Sequence, residues 1–169
     1  MELIIGVGAT VIGGAALAFV LSLINDFVLS LPDLNGLWRF ESQTLDTSYN
    51  PYRGMKLTYL VLLWQEGHAV YGSGEKVRED VNGAIRTYTG PQRSRIEIRG
   101  YLTKRYLSRS EIVLHFCEQA ERRQSSTMQT LTIHSSVAMK GEFASTIANS
   151  SGATCWARGT DGLSFEGLI

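Results

Sequence analysis

The sequence predicts an all-β fold, a small antiparallel up-and-down barrel of about eight strands, preceded by one N-terminal transmembrane helix. Three observations predict it. Leu3 to Ile24 is a run of 22 residues without a charge. The rest of the chain is a series of short segments that alternate apolar and polar residues, separated by Gly, Asn, Asp and Pro, with no helical period between them. Glycines fall inside those segments, at Gly72, Gly74, Gly100 and Gly141. Interior glycines mark bends, which favours a closed barrel over a sandwich.

As a helix, Leu3–Ile24 would rise about 33 Å at about 1.5 Å per residue, enough for a hydrocarbon core about 30 Å thick. A cleaved leader would open with positive charge and carry a shorter apolar core. Met1-Glu2 has no Lys or Arg, so a retained anchor is expected, running to Leu31 at the latest because Pro32 disfavours helix before it. Gly6, Thr10, Gly14, Ala18 and Ser22 recur every four residues. That spacing aligns them in one ridge of small residues, the kind of face through which helices associate in lipid. The expected organisation is a helix and juxtamembrane extension over 1–31, a linker over 32–35, the barrel over 36–160 and a tail over 161–169. The first basic residue after the run is Arg39 and none precedes it, which favours a single-pass chain with a cytoplasmic barrel.

Asn35 to Glu41 alternates, with Trp38 and Phe40 on one face, and reads as the first strand; 44–54 reads as a loop. Met55 to Gln65 is apolar on both faces, Tyr59, Val61 and Leu63 on one and Leu60, Leu62 and Trp64 on the other. One face must lie outside a barrel, so contact with another subunit, the bilayer or the tail is expected there. Glu66-Gly67 reads as a two-residue turn, which pairs Gln65 with His68, Val61 with Gly72 and Tyr59 with Gly74 in a strand reaching Val77. The polar stretch 81–93 reads as a loop or ragged hairpin. Ser94 to Leu102 puts Ile96, Ile98, Gly100 and Leu102 on one face and Arg95, Glu97, Arg99 and Tyr101 on the other. Glu111 to Glu118 groups Ile112, Leu114 and Phe116; a charged turn over 121–126 and strands over 127–134, 137–146 and 153–158 complete the set.

Charge is balanced, 16 basic against 16 acidic residues, so a broadly basic surface for a DNA or RNA polymer is not expected. Cys117 and Cys155 are too few for a disulfide framework. His68, His115 and His134 are isolated, and no metal-ligand or nucleophile spacing occurs; catalytic residues, metal and cofactor are all expected to be absent, and the chain is not expected to be an enzyme. Binding is the better expectation. Tyr59 beside the missing side chains of Gly72 and Gly74 would leave a cleft. Arg95, Arg99, Tyr101, Lys104 and Arg105 form a basic and aromatic cluster of the kind that holds phosphates while bases stack.

Gly36-x-Trp38 opens the first strand and Arg158 ends the last. This resembles the lipocalin and fatty-acid-binding superfamily, where such a Trp closes the barrel floor and the Arg packs over it; the resemblance implies a structural role for Trp38 and Arg158. An N-terminal anchor, a short linker and a small lipocalin-like barrel together resemble the membrane-anchored β-barrel effectors of bacterial CBASS anti-phage systems. The residues concerned are Gly36, Trp38, the Gln65-to-Gly74 hairpin and the strand ending at Arg158. Members of that family usually carry two membrane helices, against one clear span here. The resemblance implies a bacterial inner-membrane protein that senses a cyclic dinucleotide or other small molecule and oligomerises through its helix to disrupt the bilayer. The alternative expectation is a tethered carrier or scaffold for a lipid or other hydrophobic ligand.

Overall fold

The computed structural model describes residues 2–23, 31–105, 108–120 and 123–159, without the side chains of 2–12, 120 and 123. The chain divides into two compact units, Met1–Pro32 and Asp33–Ile169. The first contains one helix, α1, Glu2–Leu23. The second contains β1 (Gly36–Asp46), β2 (Lys56–Glu66), β3 (Ala69–Val81), β4 (Ala84–Thr87), β5 (Arg95–Thr103), β6 (Glu111–Ala120), β7 (Arg123–Ser135), β8 (Ala138–Ser145) and β9 (Ser150–Arg158).

All pairings are antiparallel and follow chain order, with β4 paired only to β3 and with β1 returning to β9. β2 also pairs with β3, so eight strands close into a ring and β4 hangs from it as a short extension. An eight-strand ring has an interior just wide enough for side chains. The alternation expected of 94–102 is what selects the interior: Ile96, Ile98 and Leu102 are buried while Arg95, Glu97, Arg99 and Tyr101 face out. In β2 the inward face is Tyr59, Val61 and Leu63, leaving Leu62 and Trp64 exposed on the outer wall.

One end of the ring is sealed. Trp38 and Leu34 are fully buried there, and the Trp38 indole N–H donates to the Leu34 carbonyl at 2.9 Å. The Arg158 guanidinium lies 5.2 Å from the centre of the Trp38 ring and donates to the Asp33 carbonyl at 2.6 Å. Trp38 and Arg158 are also cross-strand partners.

The structure departs from the sequence expectations at four places. The β2–β3 turn is Gly67-His68, not Glu66-Gly67, because Gly67 has φ of 60° and a two-residue type II′ turn needs glycine at its first central position. Pairing therefore shifts by two residues: Leu63 faces Gly72, Val61 faces Gly74 and Tyr59 faces Lys76. A two-residue shift preserves which side chains point inward. Secondly, Gly72 and Gly74 leave no cleft beside Tyr59. A Cβ on Gly72 would meet Leu63 Cδ2 at 2.6 Å, and one on Gly74 would collide with Val61 Cγ1, so the neighbouring strand already fills that room. Thirdly, strands run further than expected: β1 continues to Asp46 into the stretch read as a loop, β3 continues past Val77 to Val81 and forms with β4 the hairpin that is one of the two readings of 81–93, and β7 starts at Arg123 within the segment read as a turn.

Finally, among the described residues no helix is long and apolar enough to cross a membrane. The helical backbone of α1 covers most of the uncharged run, but its described side chains extend only over Gly13–Leu23, which rises about 16 Å, about half a hydrocarbon core. In the ridge, Gly14, Ala18 and Ser22 are exposed; the side chains of Gly6 and Thr10 lie outside the described residues, as do residues 24–30 and the tail from 160 onward.

Candidate functional site

Inward-facing aromatic rings build the wall of the lumen above the sealed floor. Phe40 stacks on Trp156 at 4.4 Å and on Tyr59 at 4.7 Å, and Phe116 tilts against Phe40 at 5.5 Å. All four share the strand parity that also buries Val61 and Leu114. Above this stack is a cavity with about 60 Å³ of room for water-sized molecules, lined by the apolar Met55, Leu57, Ile96 and Phe143 and by the polar Ser42, Thr44, Gln129, Thr127, Ser145 and Ser150. It continues through a space of about 90 Å³ beside Lys76, Glu79 and Glu118 to an outer space of about 410 Å³ at the mouth, framed by Tyr49, Tyr52, Thr146 and Ala148. Met55, Leu57, Glu118 and Ile147 border both of the inner spaces; Tyr52, Ser125 and Ile147 border both of the outer ones. Sites for drug-sized ligands measure about 300–1,000 Å³, so the inner cavity alone takes only a small group and a larger ligand must extend into the mouth.

The neck between lumen and mouth is polar. Lys76 Nζ lies 3.4 Å from Glu118 Oε1 and 3.6 Å from Glu79 Oε2, and 5.4 Å from the centre of the Tyr88 ring. Tyr88 donates its hydroxyl to Glu79 at 3.0 Å, and Tyr59 donates to Glu118 Oε2 at 3.3 Å. At the rim, Ala148 and Asn149 have φ of 49° and 47°. Left-handed backbone costs about 1–2 kcal/mol per non-glycine residue, and here it turns the chain so that Ile147 borders all three spaces.

Burial, then the neighbouring Glu118 carboxylate and its hydrogen bond, hold the Tyr59 hydroxyl well above its usual pKa of 10.0. The folded chain therefore retains a proton that the unfolded chain releases. Stability should fall as pH rises past about 10, by up to about 1.4 kcal/mol per pH unit. Urea midpoints at pH 9 and pH 11 test this: Tyr59→Phe should lose less than the parent protein over that interval, and equal losses would contradict the assignment.

Near the aromatic stack, Gln129 is 2% exposed; its Oε1 accepts from Trp156 Nε1 at 2.9 Å and lies 3.3 Å from Thr154 Oγ1, whose one proton is shared with the Glu41 carbonyl at 3.2 Å. An indole nitrogen only donates, so the amide orientation is fixed with oxygen toward Trp156.

The residues singled out in the sequence do not gather in this lumen. Tyr59 lines it. Arg95, Arg99 and Tyr101 stand on the outer wall, Tyr101 stacked on His68 at 5.5 Å. Arg105 lies beyond the sealed-floor end of β5 and pairs with Glu111 at 2.7 Å. Also on the outer wall, His115 Nε2 is 2.6 Å from Ser126 Oγ and Cys117 Sγ is 3.9 Å from His115 Nδ1. Lys76, Glu118 and Gln129 were not singled out. Their signal is parity: Glu118 follows Leu114 and Phe116 in steps of two, and Gln129 precedes Leu131 and Ile133 likewise.

The fold and site define a small closed antiparallel barrel with one sealed end and one open, polar-necked mouth. Among solved structures, a redesigned β-barrel superposes with a TM-score of 0.49 at 12% sequence identity, over 76% of this chain and 92% of its own. No protein-family model matches the chain, and no curated protein does.

Proposed function

We propose that the barrel is a receptor for a small molecule admitted at its mouth, and that the chain is a membrane-anchored sensor whose N-terminal helix self-associates when the receptor is filled. The observation that carries this is the one-ended lumen, with an apolar chamber, a charged neck and a wider mouth in sequence. The anchor is supported by the uncharged run Leu3–Ile24 and by the exposure of Leu17, Phe19, Leu21 and Leu23 along α1. The CBASS resemblance directs the reading toward a cyclic dinucleotide and an output at the bacterial inner membrane. Such a ligand exceeds the inner cavity, so its phosphates belong at the neck, where Lys76 stands, with the remainder in the mouth. Coupling works by population shift: a ligand that prefers the assembled state drives assembly. The apolar lining of the chamber favours a second reading, a tethered carrier of a hydrophobic molecule.

Titration calorimetry of the full chain in detergent, with a panel of cyclic dinucleotides, tests the first reading. Saturable binding is expected with at least one of them, weakened about tenfold or more by Lys76→Ala, and with oligomer growth that Gly14→Leu abolishes. Silence across the panel together with uptake of cis-parinaric acid would establish the carrier reading instead.

A further inference from the structure

The polar lining of the inner chamber is not that of an ordinary barrel core. Gln129 is 2% exposed, and its Oε1 is committed to Trp156 and Thr154. Its Nε2 therefore points away from Trp156 and has no hydrogen-bond partner among the described residues. Ser42 and Thr44, 6% and 3% exposed, also line the chamber, and their hydroxyls have no partner among the described residues. Buried polar groups in folded proteins are ordinarily satisfied. Elsewhere on the same wall they are: Thr127 donates to Ser145 at 2.9 Å, and Ser150 donates to the Ile147 carbonyl at 2.7 Å. Open donors from β1 and β7 thus line the chamber together with the Phe40, Tyr59 and Phe116 rings.

We propose that this chamber is a recognition site for a small, flat, uncharged group bearing a carbonyl-type acceptor. The acceptor meets the Gln129 amide, Ser42 and Thr44 supply further hydrogen bonds, and the ring packs against the aromatic wall. This rests on the reading of the lumen as a ligand chamber and adds the chemistry of what enters it. The charge state follows from the surroundings. Among the described residues Glu118 is the one charged side chain bordering the chamber, and both of its oxygens are engaged, by Lys76 and Tyr59. An anion would be repelled there, and a cation would have to displace Lys76. An alkyl chain would leave the Gln129 amide and two hydroxyls desolvated without partners. A site built to hydrogen-bond its ligand rejects an isostere that lacks the polar group.

The test uses 2-pyridone and benzene, rings of similar size of which only the first has a carbonyl and an N–H. Each is titrated into the full chain in lipid nanodiscs, while the Gln129 side-chain amide and the Trp156 indole N–H are followed by nitrogen–proton correlation spectra. The expected result is 2-pyridone binding at least tenfold tighter than benzene, with a shift of the Gln129 amide signal and loss of the preference in Gln129→Leu. Should that variant not fold, Ser42→Ala with Thr44→Val should reduce the preference while leaving the Trp156 signal in place. Equal or tighter binding of benzene, a preference that survives in both variants, or no binding of either ring would overturn the proposal. If 2-pyridone fails while a cyclic dinucleotide or cis-parinaric acid still binds, the receptor reading stands without this inference; if all of them fail, both fall.

Discussion

Trp38→Ala should destabilise the barrel by about 3–5 kcal/mol, the range for deleting a large aromatic from a packed core. Three contacts set that size. The indole is fully buried, lies 6.4 Å from Trp156 in edge-on packing, and donates its N–H to the Leu34 carbonyl at 2.9 Å. Removing the ring also uncovers Arg158, whose guanidinium rests over it and whose Nε has no hydrogen-bond partner among the described residues. Trp38→Phe keeps part of the apolar contact but leaves the buried Leu34 carbonyl without its donor, so its cost should be smaller than that of alanine, about 1–3 kcal/mol. Urea unfolding followed by far-UV circular dichroism gives both values. A loss below about 1 kcal/mol for the alanine variant would mean that the floor repacks and that the Trp38–Arg158 pair does not hold this end together.

Gly141→Ala should cost about 3 kcal/mol, at the upper end of the range for overpacking. In a strand interior, alanine is ordinarily the better residue by about 0.5–1 kcal/mol, because glycine loses more chain entropy on folding. Here the sign reverses. A Cβ on Gly141 would collide with the Thr130 carbonyl oxygen and lie 2.8 Å from Leu131 Cα. Both are backbone atoms of the paired strand, so no rotamer change relieves the contact and the β7–β8 ladder must open locally. The same unfolding assay measures it, and a neutral or stabilising outcome would show that the two strands separate at little cost.

How much of this was legible in the sequence depended on whether alternation was unambiguous. β5 and β6 carry apolar residues on one parity and polar ones on the other, so Ile96, Ile98, Ile112 and Leu114 could be assigned to the interior directly. In β2 both parities are apolar, and only closure of the ring selects Tyr59, Val61 and Leu63. The hairpin register missed by two residues because Glu66-Gly67 and Gly67-His68 both contain the glycine, and only the second puts it at the first central position, the one a type II′ turn reserves for glycine. The interior glycines were read for closure but also for a cleft, and the cleft does not exist because spacing between strands, invisible in one dimension, decides who fills the gap. For the site, charge drew attention to Arg95, Arg99 and Arg105, although the parity of Ile96 and Ile98 already placed Arg95 and Arg99 outside. Gln129 carries the opposite signal, a polar residue whose parity with Leu131 and Ile133 places it inside.

The return of β1 to β9 has a consequence for how copies of the barrel can meet. Each of the eight ring strands has its backbone donors and acceptors turned to two neighbours. An open sheet would offer a bare strand as a template for a second copy, the usual route to uncontrolled aggregation. Among the described residues the one strand with a bare side is β4, four residues long and exposed throughout. Crowding many copies together therefore need not begin cross-strand polymerisation. A second copy would have to meet this barrel through side-chain surfaces, such as the outer wall around Leu62 and Trp64.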